Sequence, residues 1–149
     1  MFKRISKVFL IATTAALSGC ASQSMLPSSS SDADFSAPEG KVGWSSYRET
    51  ALFRNASEEQ VYDAAKLALG ETGFALRSAD RSARRVTGEH GITLHDWNVI
   101  AGIYYKPTPA GIRVLVQVEG SKDTGFSGDV TGDGWTGKIM SRMRQHIGR

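Results

Sequence analysis

The stretch Gly111 to Gly120, GIRVLVQVEG, sets Ile112, Val114, Val116 and Val118 on alternate positions, with Arg113, Gln117 and Glu119 between them. Successive side chains of a strand point to opposite faces, so this pattern makes one apolar and one mostly polar face. Trp97 to Lys106 has the length and composition of its partner. Pro107-Thr108-Pro109-Ala110-Gly111 supplies fixed φ angles and then a permissive glycine, so the two runs are expected to form a hairpin extending to Lys122. A sheet is therefore required, and the other elements must cover it.

Those elements are legible from both ends of the hairpin. Ser46 to Phe53 (SYRETALF) reads as an edge strand ending at Arg54-Asn55. Ser57 and Gln60 form the Ser-x-x-Gln pattern of a capping box. Behind it Val61, Ala64, Ala65, Ala68, Leu69 and Thr72 recur at helical spacing up to Gly73. The many alanines on that face imply close approach to a sheet. Phe74 to Ala79 and Arg84 to His90 are expected to pair around Asp80-Arg81-Ser82. Six of the eighteen residues from Gly120 to Gly137 are glycine, which predicts a loop. Trp135, Ile139, Met143 and Ile147 then mark one face of an amphipathic terminal helix, with Lys138, Arg142, Arg144 and Arg149 elsewhere on it. Strand, helix, four strands and helix predict an α+β two-layer sandwich. Its antiparallel sheet has about five strands, with two helices on one face, over residues 44–149.

The N-terminus has a different character. Lys3, Arg4 and Lys7 precede ten uncharged residues, VFLIATTAAL (Val8 to Leu17). A positive segment followed by an apolar one of this length is the pattern of an export signal, and ten helical residues rise only ~15 Å, too little for a bilayer. These three cations equal the whole excess of 18 Lys and Arg over 15 Asp and Glu. The remaining chain is balanced, so its charge gives no support to nucleic-acid binding.

Leu17-Ser18-Gly19-Cys20 follows directly and contains the only cysteine. With the preceding segments it resembles the lipobox of bacterial lipoproteins. The resemblance implies removal of residues 1–19 by a dedicated peptidase that recognises Leu17, Ser18 and Gly19. It also implies lipid attachment to the Cys20 sulfur and, commonly, acylation of the new amine. Two or three acyl chains, at ~0.8 kcal/mol per buried methylene, make release negligible. Ala21 stands where an aspartate commonly retains such lipoproteins at the inner membrane, so the resemblance implies an outer-membrane, periplasm-facing location. No second cysteine remains for a disulfide.

Ala21 to Gly43, ASQSMLPSSSSDADFSAPEGKVG, holds seven serines and two prolines. With Cys20 it is expected to be a flexible tether, 20–43, whose coil dimensions are ~25 Å and whose full extension is roughly 80 Å. The element order behind it, with VYDAAKLALGETGFALRSADR near its start, resembles the small helix-grip-like domains of bacterial envelope lipoproteins, such as the repeated domains of the BamC type. This implies a fold more than an activity.

Several motifs stop short of a site. Gly132-Asp133-Gly134-Trp135-Thr136-Gly137-Lys138 matches a P-loop until Ile139 replaces the hydroxyl residue that binds magnesium. Asp129, Thr131, Asp133 and Gly134 begin a calcium loop whose twelfth position is Met140 rather than a bidentate acid. Glu89, His90, His95 and Asp96 lack helical ligand spacing and a cysteine partner, and polar loop positions account for them. There is no G-x-S-x-G, and the many serines lie in the tether. No metal, cofactor or catalytic group is expected, and the chain is read as a non-enzyme.

Two features point to a partner surface. Arg77, Arg81, Arg84 and Arg85 surround one turn with Asp80 among them, which is either a solvated hairpin tip or an electropositive patch. Tyr104 and Tyr105 are adjacent in one strand and face opposite ways, so one points away from the helices, toward a partner or a third layer. The expected role is that of an accessory or scaffold in an envelope assembly, with a protein partner bound on the open sheet face or an edge strand. An immunity or inhibitor lipoprotein is the alternative. A carrier of a small apolar ligand between the sheet and the terminal helix is the third.

Overall fold

The computed structural model describes residues 22–42, 46–91, 98–120 and 134–148. The export signal, Leu17, Ser18, Gly19, Cys20, His95, Asp96 and the acidic positions 129 and 133 lie outside these residues. The chain forms β1 (Gly40–Val42), β2 (Ser46–Phe53), α1 (Glu58–Glu71), β3 (Ala75–Asp80), β4 (Arg85–His90), β5 (Val99–Thr108), β6 (Gly111–Glu119) and α2 (Trp135–Ile147). The strands join in one sheet in the order β1-β2-β6-β5-β4-β3, with every pairing antiparallel. This is the expected α+β arrangement with a sixth, three-residue strand added. Because of β1, β2 is not an edge strand: it lies between β1 and β6.

The inner layer follows from the two periodicities. Val86, Val99, Ala101, Ile103, Tyr105, Ile112, Val114, Val116 and Val118 present one face of the central strands. Against it pack Val61, Ala65, Ala68 and Leu69 of α1 and Ile139, Met140 and Met143 of α2 in a single cluster. α1 lies over β3, β4 and β5, and α2 over β2 and β6. The alanines let the α1 backbone approach the strands closely. Ile139, Met140 and Met143 are fully buried in this cluster. α2 begins at Trp135, so residues 135–137 belong to the helix and not to the preceding glycine-rich loop.

Both ends of α1 carry the signals read in its sequence. The Gln60 amide donates to Ser57 Oγ at 3.1 Å, and the Ser57 amide donates to Gln60 Oε1 at 2.8 Å, completing the capping box. Glu58 and Glu59 follow in the first turn, where the helix dipole favours anions. At the other end Gly73 has φ +88°, which turns the chain into β3 at no side-chain cost.

The expected tether is the principal correction. Residues 22–42 do not stand away from the domain but form an outer layer on the sheet face opposite the helices. A short 3-10 turn, Gln23–Met25, leads to Leu26, which packs on Ile100. The chain then follows β5: Tyr104 Oη donates to the Pro27 carbonyl at 2.9 Å, and the Ser30 amide donates to the Ala83 carbonyl at 2.9 Å, beyond β3. Ser28 and Ser29 donate to Asp32 in a turn that reverses direction. Ala33 and Phe35 return over Tyr104 and Leu115, Glu39 accepts from the Thr50 amide and hydroxyl, and β1 pairs with β2. Serine hydroxyls satisfied by short local hydrogen bonds, with three apolar anchors, order a segment whose composition suggests coil.

Replacing Ser57 by alanine is expected to lower stability by about 1 kcal/mol through loss of the reciprocal cap, read as a lower denaturation midpoint in urea with an unchanged slope.

Candidate functional site

The outer face of the sheet holds the buried polar side chains Thr87, Gln117 and Glu119. Register sets Arg48 of β2, Gln117 of β6, Gly102 of β5 and Thr87 of β4 in one row across it. A second row holds Thr50, Leu115, Tyr104 and Arg85, and a third Ser46, Glu119, Ile100 and Glu89. Glu119 is buried, and its two oxygens are held from both sides: Gln117 Nε2 donates at 2.6 Å, and the Ser46 hydroxyl donates to the other oxygen. Other polar atoms are less well provided. Gln23 Nε2, Arg48 Nε, Arg85 Nε, Thr87 Oγ1 and Gln117 Oε1 are buried without a hydrogen-bond partner among the described residues. All but Gln23 belong to this face, and each such atom costs about 1–3 kcal/mol unless water reaches it.

Tyr104 organises this layer. Its ring folds back over Gly102, where a Cβ atom would lie 2.6 Å from the phenol oxygen and 2.8 Å from a ring carbon. Glycine is therefore required by the close approach of the ring, an arrangement that fills the gap glycine leaves in a strand. Burial pushes the Tyr104 phenol up to about 12, against the opposing pull of a hydrogen bond and charge from Arg85. Both tyrosines are sealed from solvent: Tyr104 is 0% exposed beneath Ala33 and Phe35, and Tyr105 is 2% exposed beneath the helices. Neither is available as a partner surface. The third layer that the sequence leaves open exists, and it is supplied by the chain itself.

The arginine turn is likewise not an open cationic patch. Arg77 Nε lies 2.8 Å from Glu89, Arg84 Nε 2.6 Å from Glu58, and Arg81 3.3 Å from Glu59 and 4.0 Å from Asp63. Arg81 also rests on the Tyr62 ring at 4.4 Å. The acids at the start of α1 thus neutralise much of the turn, although exposed pairs of this kind stabilise by only about 0–1 kcal/mol each. Arg84 has φ +49° at the entry to β4. Asp80 accepts from the Ser82 hydroxyl and amide and the Ala83 amide at 2.6–3.0 Å, and these bonds, the Ser82 hydroxyl foremost, hold its carboxyl below the usual range. Arg85 is half-buried on the outer face.

His90, expected as a polar loop residue, instead ends β4 on the inner face. It forms a ring cluster with Phe74 at 5.4 Å and Trp135 at 4.7 Å. Phe74 meets Trp135 edge-on at 5.2 Å, and His90 Nδ1 is 2.9 Å from the Gly91 carbonyl. The period-two spacing of Val86, Gly88 and His90 marks this inward direction. Glu89 faces the other way, held below the usual carboxyl range by Asn98 foremost and also by Arg77. Among the described residues, no three His, Cys, Asp or Glu side chains are grouped as a metal ion would need. A shallow groove of about 470 Å³ lies at the far end of the β5–β6 hairpin, lined by Leu52, Thr108, Pro109 and Arg113 among others.

No protein-family model matches the chain, and no curated protein matches it in sequence. Among solved structures it is similar to protein CV1439 from Chromobacterium violaceum, with 15% identity and a TM-score of 0.47, over 70% of this chain and 98% of that one. It is also similar to TTHA0849 from Thermus thermophilus, with 13% identity and a TM-score of 0.41, over 68% of this chain and 96% of that one.

The geometry of Tyr104 makes the outer layer testable in two ways. Its raised pKa means that the folded chain holds the neutral phenol, so this contribution is complete below pH 10 and is lost as pH rises toward 12. About 2–3 kcal/mol of alkaline destabilisation is expected from this group, and the Tyr104→Phe variant should lack that part when unfolding is followed across the range. Gly102→Ala forces the ring outward and is expected to cost about 1–3 kcal/mol. Hydrogen exchange at the Ser30 amide should quicken in that variant, reporting release of the outer layer.

Proposed function

We propose that this protein is a non-enzymatic lipoprotein of the outer membrane, facing the periplasm, that serves as an accessory or scaffold in a cell-envelope assembly. The reading is carried by one observation: a basic segment, an uncharged run of signal length and Leu17-Ser18-Gly19-Cys20 occur in the order that lipidation requires. No helix among the described residues is long and apolar enough to cross a membrane. In this reading membrane attachment comes from acyl chains on Cys20.

The folded domain offers a partner its edges. The helix-covered face is closed by α1 and α2, and the outer face is covered over Ile100, Tyr104 and Leu115 by residues 22–42. Among the described residues β3 ends the sheet, with strand pairing on one side. It carries exposed Leu76 and a register shift between Leu76 and Ser78. An extended segment of another protein adding to this edge would gain main-chain hydrogen bonds, with Leu76 as an apolar contact. The shift in register limits that edge to short partners and guards it against uncontrolled pairing.

Metabolic labelling with a fatty-acid probe tests the anchor. Cys20 should incorporate label and the chain should fractionate with membranes, whereas Cys20→Ser should carry no label and leave the membrane fraction. Equal labelling of the two would overturn the reading. A photo-crosslinker at Leu76 should capture an envelope protein that one at Leu67, exposed on α1, does not.

A further inference from the structure

We infer that the folded domain rests directly on the lipid headgroup layer, with the Ile100 end of its sheet toward the bilayer, instead of hanging on a long tether. The inference rests on the lipoprotein reading and adds what the docked outer layer does to it. Leu26 packs on Ile100, next to the start of β5, and the chain reaches the Ala83 carbonyl four residues later. Residues 22–25 therefore lie at the Ile100 end, where register also places Ser46, Glu119 and Glu89. From Ser22 back to Cys20 there are only two residues, which span at most about 7 Å.

A free tether of 23 residues would let the domain wander over a typical ~25 Å. Docking consumes that length. Its anchors are distributed along the segment: Leu26 is 5% exposed, Phe35 is 3% exposed, Pro27 is bonded to Tyr104, and β1 is paired with β2. No slack remains between Ser22 and the acylated residue beyond Ala21. The lipid-facing partner is thus a headgroup surface. Met25, 50% exposed in the turn that precedes Leu26, adds an apolar side chain at this end. The β5–β6 connection and the turn between β3 and β4 lie at the opposite end, away from the bilayer.

The test uses the full acylated chain, confirmed by intact mass and reconstituted in phosphatidylethanolamine and phosphatidylglycerol vesicles bearing a headgroup-attached acceptor dye. Cys20 is the only cysteine and its thiol is consumed by lipid, so Met25→Cys or Ala110→Cys accepts a donor dye selectively. The ten residues of β5 separate the two heights by about 30 Å, so transfer from position 25 should exceed that from position 110 at least about twofold. A twenty-residue Gly-Ser insertion between Ala21 and Ser22 should reduce transfer at both positions and abolish the difference. An acylated chain with equal transfer at the two positions, unaffected by the insertion, overturns the close seating alone. A chain without acyl mass overturns the lipoprotein reading together with it.

Discussion

The structure depends on the burial of β5 and β6 from both sides. Val99, Ala101, Ile103 and Tyr105 of β5 are covered by the helices, while Ile100 and Tyr104 are covered by the chain's own N-terminal segment. A central antiparallel strand with only one covered face would leave Tyr104, Ile100 and Leu115 in water. At roughly 25 cal/mol per Å² that exposure would be unfavourable, and it would also invite association. The outer layer removes it with few large side chains. Gly102 is what allows this: with no Cβ in the way, the Tyr104 ring lies flat enough for its hydroxyl to meet the Pro27 carbonyl.

The two layers differ in kind. Inside, methionine, valine and isoleucine fill the space between helices and sheet, with ring packing of Phe74, His90 and Trp135 at one end. Outside, a thin strap crosses a polar surface on which several buried groups lack protein partners among the described residues. Opening of the outer layer therefore costs less than disruption of the core, and local unfolding should begin there. The arginine turn belongs to neither layer. It is fastened to the start of α1 by Glu58 and Glu59, so cap, helix dipole and ion pairs converge on the same few residues.

Most of the fold was legible because its elements have strong periods. The capping box at Ser57 and Gln60, the alternation from Ile112 to Val118 and the terminal helical stripe each carry a local signal that tertiary contacts reinforce. The outer layer was not legible from its own composition. Leu26, Ala33 and Phe35 follow no period, and seven serines suggest coil until their local bonds are seen. The informative signal lay elsewhere. Val99, Ile100, Ala101, Ile103, Tyr104 and Tyr105 are apolar on both parities, which is how a strand buried on two faces reads. A cover for the second face was therefore implied, and residues 22–42 provide it. The arginines misled for a related reason: sequence spacing shows their gathering but not the carboxylates of a distant helix that meet them.

The contact between Pro27 and Tyr104 joins residues 77 positions apart. Whenever the chain emerges N-terminus first, the segment around residues 22–42 appears early, and nothing for it to bind exists until β5 and β6 have followed. Contacts this distant in sequence form late, since the loop between them must close first. In that interval the segment is extended and open to other molecules, before the same residues become part of the wall of the domain. Chain topology alone thereby makes the closing of the outer wall a late event.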